Sequence, residues 1–298
     1  MKHIWPIGGS KGGSGKSFLT ASLGILLAMH GKKTLLIDAD FGAANLHTIM
    51  GISNPERNLS DFINRNIDTL GEAVMKTSVP NLFMISGARN NLDMANILYM
   101  QKIKVLRAIA KLPYEYILID LGAGTSFNTI DFFMMSDSGI FVTTPEPTSI
   151  ENVYRLTRSV YLRKIRHMLS THDFRSVMEI AAERNKNGTL DYLEDIINVI
   201  RENDPPKGSM IEEKLATLEF RLVINQMRQQ DNPNLGLLMC KIIEKHVGIR
   251  MQFLGNVGFD DRVHDAVCKK TAFVYKYPYT QTTTDLREIC NNVLLTGN

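Results

Sequence analysis

Seven short apolar runs recur along the chain: "HIWPI" from His3, "KTLLID" from Lys33, "LFMIS" from Leu82, "YILIDL" from Tyr116, "GIFVTT" from Gly139, "RLVIN" from Arg221 and "QFLGNV" from Gln252. Most of them lack polar alternation. A strand with one wet face shows a period of two, whereas a strand covered on both faces reads as a continuous apolar run. Segments of helical period separate the runs, for example residues 17–30 and 92–112. This rhythm predicts an α/β fold, a doubly wound and mainly parallel sheet with helices on both faces. Pro6 interrupts the first run and has no N–H to give to a ladder, so it is expected where no donor is needed.

One region departs from the rhythm. From about residue 151 to 218 a long polar, helix-like stretch precedes the next apolar run. It is too short to promise a core of its own, so it reads as two to four helices inserted on one side of a single domain spanning 1–298. Within it, "NDPPKGSM" reads as a breaker.

The net charge of +3 is too small to imply nucleic acid by itself. Cys240, Cys268 and Cys290 are scattered, with no Cys-x-x-Cys pair, which argues against a disulfide framework or a zinc or iron–sulfur centre. No apolar run approaches the roughly 18–20 residues of a membrane span, and "MKHIWPIGG" does not read as a secretory signal. These features point to the cytoplasm.

The first apolar run leads directly into "GGSKGGSGKSF". A strand, a glycine-rich turn and a helix present free backbone N–H groups at a helix N-terminus, where they meet phosphate oxygens with help from the helix dipole. Gly12, Gly13 and Gly15 permit close approach, Lys16 is placed to reach the β- and γ-phosphates, and the Ser17 hydroxyl is placed to ligate Mg²⁺. The first glycine of the general pattern G-x-x-x-x-G-K-[ST] falls on Ser10. The loop is expected to bind a nucleoside triphosphate. One lysine suffices for that, yet the loop holds two, Lys11 and Lys16.

"KGGSGKS" resembles the deviant Walker A motif, K-G-G-x-G-K-[ST], of the MinD/ParA family of dimerising ATPases. The resemblance implies a P-loop fold, ATP and Mg²⁺ as ligands, and a nucleotide-contacting stretch of Lys11, Gly12, Gly13, Ser14, Gly15, Lys16, Ser17 and Phe18. It also implies that Lys11 reaches across an ATP-state homodimer to the partner's phosphates. A cation delivered in trans ties catalysis to dimerisation.

Two carboxylate motifs follow. "DADFGAANL" is similar to the family's D-x-D-x-G-x-x-N-L at Asp38, Asp40, Gly42, Asn45 and Leu46. By that likeness Asp40 orients the attacking water and Asp38 supports the metal site, with capping of the next turn as the plainer role for Asp38. Asp120 ends "YILID" in a Walker B arrangement and is expected in the Mg²⁺ shell. The family's D-x-P-A-G has Gly122 in place of proline here, which is expected to loosen the turn. "TTPEPTSIENVY" resembles MinD and, more closely, the flagellar-number ATPases FlhG and FleN. "LVINQ" puts Asn225 where the family reads the adenine edge, and "FLGNVGFDDRVHDAV" resembles the segment that closes the base pocket, with Gly258 at a common proline position.

The resemblance implies a spatial regulator of the MinD/FlhG type, in cell division or flagellar placement, with an activating partner that no motif names. A ParA-like partition ATPase and a slow nucleotide-gated scaffold are the other readings, so peripheral membrane and non-specific DNA both stay open as platforms. Leu286, Ile289, Val293 and Leu294 are spaced for a C-terminal helix whose only cation is Arg287, which favours core packing over a membrane anchor. Arg155, Arg158, Arg163 and Arg166 fall on one side of a helix and form the better candidate for an anionic surface.

Overall fold

The computed structural model describes the chain except for residues 1, 10, 41–43, 54, 88–98, 125–126, 135, 137, 185–191 and 297–298. Ser10, Gly42 and the first part of the helix expected from residue 92 lie outside the described residues.

Among the described residues eight strands form one sheet: β1 His3–Gly8, β2 Thr34–Ala39, β3 Met75–Lys76, β4 Leu82–Ile85, β5 Tyr116–Leu121, β6 Ser138–Thr143, β7 Glu219–Met227 and β8 Arg250–Gly258. Their order is β3-β4-β2-β5-β1-β6-β7-β8. Every pairing is parallel except β3 with β4. The seven apolar runs are seven of these strands. The eighth, β3, is a two-residue antiparallel edge with a half-buried Met75 and an exposed Lys76, too short to carry a pattern.

Pro6 sits where its missing donor costs little. The His3 N–H donates to the Glu115 carbonyl on the β5 side, and amides alternate sides along a strand, so position 6 faces β6. The β1–β6 register begins only at Ile7.

Two apolar layers cover the sheet. On one face the helices Lys16–Met29 and Gln281–Thr296 pack Leu19, Leu23, Leu286, Ile289 and Val293 against the strands. The C-terminal helix is therefore core, as its single cation suggested, and those three residues of it are no more than 1% exposed. On the other face lie the helices Tyr99–Lys111 and Leu235–Val247 and four more helices between β6 and β7: Pro147–Met168, Thr171–Arg184, Tyr192–Asn203 and Pro205–Ala216. From these four, Val160, Val177, Ile196 and Ile211 join the same apolar cluster as Phe141 and Phe220 of the strands. "NDPPKGSM" starts a helix: the Asp204 carboxylate accepts from the Lys207 N–H and Pro205 occupies the first position, where no N–H is needed.

A buried ion triad ties the helix Phe127–Phe133 to Tyr99–Lys111 and Pro147–Met168. Asp131 accepts from Lys102 Nζ at 2.5 Å and from Arg163 Nε at 3.0 Å. The side chains of Lys102 and Asp131 are only 6% and 7% exposed. The basic face expected on Pro147–Met168 is correspondingly divided. Arg163 turns inward to Asp131, Arg155 pairs with Glu151, and Arg166 lies over the Phe174 ring. Helical spacing placed the four arginines on one side, but that side straddles the boundary between core and solvent.

Candidate nucleotide-binding site

β1 ends at the carboxyl edge of the sheet, beside β5 and β6, and the glycine loop carries the chain from there into the helix Lys16–Met29. This is the edge at which open α/β sheets bind ligands. Gly13 and Gly15 adopt φ of 80° and 87°, a conformation that glycine takes without strain. Gly15 has a second reason: a Cβ there would stand 2.0 Å from Asn225 Nδ2. At Gly12 a Cβ would meet no protein atom, so nothing in this chain alone requires glycine at that position.

The two lysines take different places. Lys16 is buried, and its ammonium donates to the Lys11 carbonyl oxygen at 3.5 Å. Burial lowers the Lys16 pKa, and the charges of Asp120 and Asp40 oppose that shift. The Lys11 side chain is exposed. The Ser14 hydroxyl is buried and has no hydrogen-bond partner among the described residues.

Asp38 and Asp120 stand opposite each other in the β2–β5 register. Both are almost fully buried, and both are held above the usual carboxylate range, chiefly by burial. Asp120 adds repulsion to Asp38, while the Ser17 and Thr20 hydroxyls and the Lys16 charge pull the other way on Asp120. Asp38 spends both oxygens on the backbone, accepting from the Asp40 N–H at 3.2 Å and the Leu46 N–H at 3.0 Å. It thus braces the turn after β2. Asp40 lies against Gly122, where a Cβ would come within 3.1 Å of Asp40 Oδ1. The missing side chain at Gly122 leaves room for the Asp40 carboxylate.

Burial, which penalises the charged form, raises both Asp38 and Asp120, and at Asp38 the neighbouring carboxylates add to it. The donor set suits Mg²⁺, which keeps several waters and takes one or two protein oxygens plus phosphate. Among the described residues no group of three or more His, Cys, Asp and Glu could hold a metal without such help. The Ser17 hydroxyl lies near enough to Asp120 to lower its pKa, and the Thr20 hydroxyl donates to Asp120 Oδ1 at 3.3 Å.

Asn225, at the carboxyl end of β7, donates from Nδ2 to the Ser14 carbonyl at 2.9 Å. Its neighbour Gln226 donates from Nε2 to the Gly13 carbonyl at 2.7 Å and adopts φ of 61°. Together they clamp the glycine loop from the far side of the sheet. Gln226 had no signal of its own in the sequence beyond its place after Asn225. A cavity of about 290 Å³ opens beside this clamp, lined by Phe18, Asn225, Phe259, Val263 and His264 among others.

The model of the CobQ/CobB/MinD/ParA nucleotide-binding domain matches residues 6–273. The chain belongs to this family. It resembles the septum site-determining protein MinD of Synechocystis, at 28% identity over 80% of this chain and 94% of the relative. It also resembles the antiactivator FleN of Pseudomonas aeruginosa, at 20% identity over 98% of this chain and 86% of the relative. The solved structure of Pyrococcus horikoshii MinD complexed with Mg-ADP superimposes with a TM-score of 0.68 at 18% identity, covering 98% of this chain and 96% of that one. The fold is that of the MinD and ParA ATPases, and the chain is a nucleotide-binding member of the MinD/FlhG type. Among the described residues no helix is long and apolar enough to cross a membrane.

Proposed function

We propose that the chain is an Mg²⁺-dependent ATPase that closes into a homodimer in its ATP state and regulates cell division or flagellar placement from a surface to which it attaches reversibly. The reading rests above all on the separation of the two loop lysines, one buried in the cradle and one exposed at its rim.

Lys16 and the backbone N–H groups of the loop hold the β- and γ-phosphates. Phe18 packs beside the base, and the Asn225 amide reads its edge with the hydrogen-bonding capacity left after the bond to Ser14. Ser17 and Asp120 would hold Mg²⁺, which would neutralise charge on the phosphates. Asp38 keeps the turn carrying Asp40 in place. Asp40, seated on Gly122, orients the attacking water, since phosphoryl transfer asks for positioning more than for a strong base. Lys11, exposed, reaches the γ-phosphate of a second copy and stabilises the developing charge there.

The experiment is co-sedimentation of Asp40→Ala protein with phosphatidylglycerol vesicles, in ATP and in ADP. Pelleting in ATP alone supports a membrane-cycling regulator. Absence of pelleting in both nucleotides, together with ATP-dependent and salt-sensitive retention on DNA, moves the protein to the ParA side.

A further inference from the structure

A groove of about 630 Å³ runs between the helix Tyr99–Lys111 and the turn Leu70–Ala73, and none of its lining residues belongs to the nucleotide site. Its floor is apolar. Phe62, Leu70 and Leu112 are buried at the bottom and Ile103 is half-buried, while Met100 is 73% exposed at one end. Its lip is cationic. Lys104, Arg107 and Lys111 are spaced three and four residues apart, which aligns them along one side of the helix. Lys104 donates to the Phe62 carbonyl at 3.2 Å. Arg107 and Lys111 are exposed, with no carboxylate against either among the described residues. Asp68 is the single acid among the lining residues.

We propose that this groove docks an acidic amphipathic helix of a partner protein, its apolar side chains on Leu70, Met100 and Ile103 and its carboxylates along Lys104, Arg107 and Lys111. An apolar trough takes the i, i+3, i+4, i+7 stripe of a helix, and a row of cations with no carboxylate against Arg107 or Lys111 selects an acidic flank on it. Shape decides against a bilayer. A surface that enters lipid carries its apolar residues outermost, whereas here most of them lie recessed beneath the cations. Charge alone does not favour nucleic acid, because the floor has no free aromatic face for a base: the Phe62 ring is covered by the Lys104 ammonium at 4.2 Å.

The probes are two fluorescein-labelled helical peptides with the same leucine stripe, one with a glutamate polar face and one with a lysine polar face, followed by fluorescence anisotropy. The glutamate peptide is expected to bind and the lysine peptide not. Arg107→Glu/Lys111→Glu should weaken binding by at least about tenfold, and Ile103→Asp by a similar factor. Arg107 and Lys111 are exposed, so the charge-reversal protein should melt at the parental temperature. Failure of the glutamate peptide to bind, or equal binding to the charge-reversal protein, overturns the proposal. So does a loss of phosphatidylglycerol-vesicle pelleting in that variant with no peptide bound by the parent, which would assign the cations to lipid.

Discussion

The Lys16 ammonium is buried 3.5 Å from the carbonyl oxygen of Lys11, whose own side chain is exposed. Two lysines five residues apart thus point to different tasks, one toward the cradle of its own subunit and one outward. Lys16→Ala is expected to abolish binding of a fluorescent ATP analogue. Lys11→Ala should bind that analogue within about threefold of the parent yet release phosphate about a hundredfold more slowly or worse. Equal turnover by Lys11→Ala and the parent at saturating ATP would defeat the role in trans.

Gly122 gives a second test, since a Cβ there would press on Asp40 at 3.1 Å. On the proposed role of Asp40, Gly122→Ala should lower the turnover number about tenfold while leaving ADP affinity nearly unchanged, because displacing a group that orients the attacking water acts on the reaction and not on ground-state binding. A parallel rise in the dissociation constant for ADP would mean that Gly122 serves the cradle instead. Asp40→Ala is expected to hold an ATP dimer, read by light scattering.

The paired carboxylates carry a pH signature. Burial pushes Asp120 up to about 7, against about 3.9 in an unfolded chain. The folded state therefore keeps a proton that the unfolded state gives up, and the resulting stabilisation, complete below about pH 4, is lost as the pH rises toward 7. Asp120→Asn removes that loss. In nucleotide-free protein its melting temperature should exceed the parent's by a few degrees at pH 7–8, with the gap closing toward pH 4. A gap independent of pH would show that burial of this charge is not what limits stability.

The buried triad makes a stability prediction remote from the nucleotide. Asp131→Ala strands Lys102, whose side chain is 6% exposed, without a counter-charge and should cost about 3–5 kcal/mol in urea unfolding. Lys102→Met combined with Asp131→Ala should cost less than Asp131→Ala alone. If the double variant is the less stable of the two, the pair contributes more by its contacts than by mutual neutralisation.

The clamp on the glycine loop can be loosened separately. Asn225→Ala leaves the Ser14 carbonyl without its 2.9 Å donor and opens the wall of the adjoining cavity of about 290 Å³. ATP affinity should fall about tenfold, with a smaller fall for Gln226→Ala, which removes the hydrogen bond to the Gly13 carbonyl. Titration of each variant with labelled nucleotide measures both.

The strand–loop–helix that starts the chain was legible in the sequence because its chemistry is contiguous: an apolar run, glycines, Lys16 and Ser17 within a few residues. The seven long strands were legible for a similar reason, since burial on both faces leaves a local imprint in composition. The tertiary structure alone decided what depends on register and depth. It brought Asn225 to Ser14 across 211 residues, seated Asp40 on Gly122, turned Asp38 to the backbone and drew Arg163 inward to Asp131. It also separated Lys11 from Lys16. Residue type states what a side chain can do. Which of its neighbours it meets, and whether water reaches it, is settled only when distant segments pack.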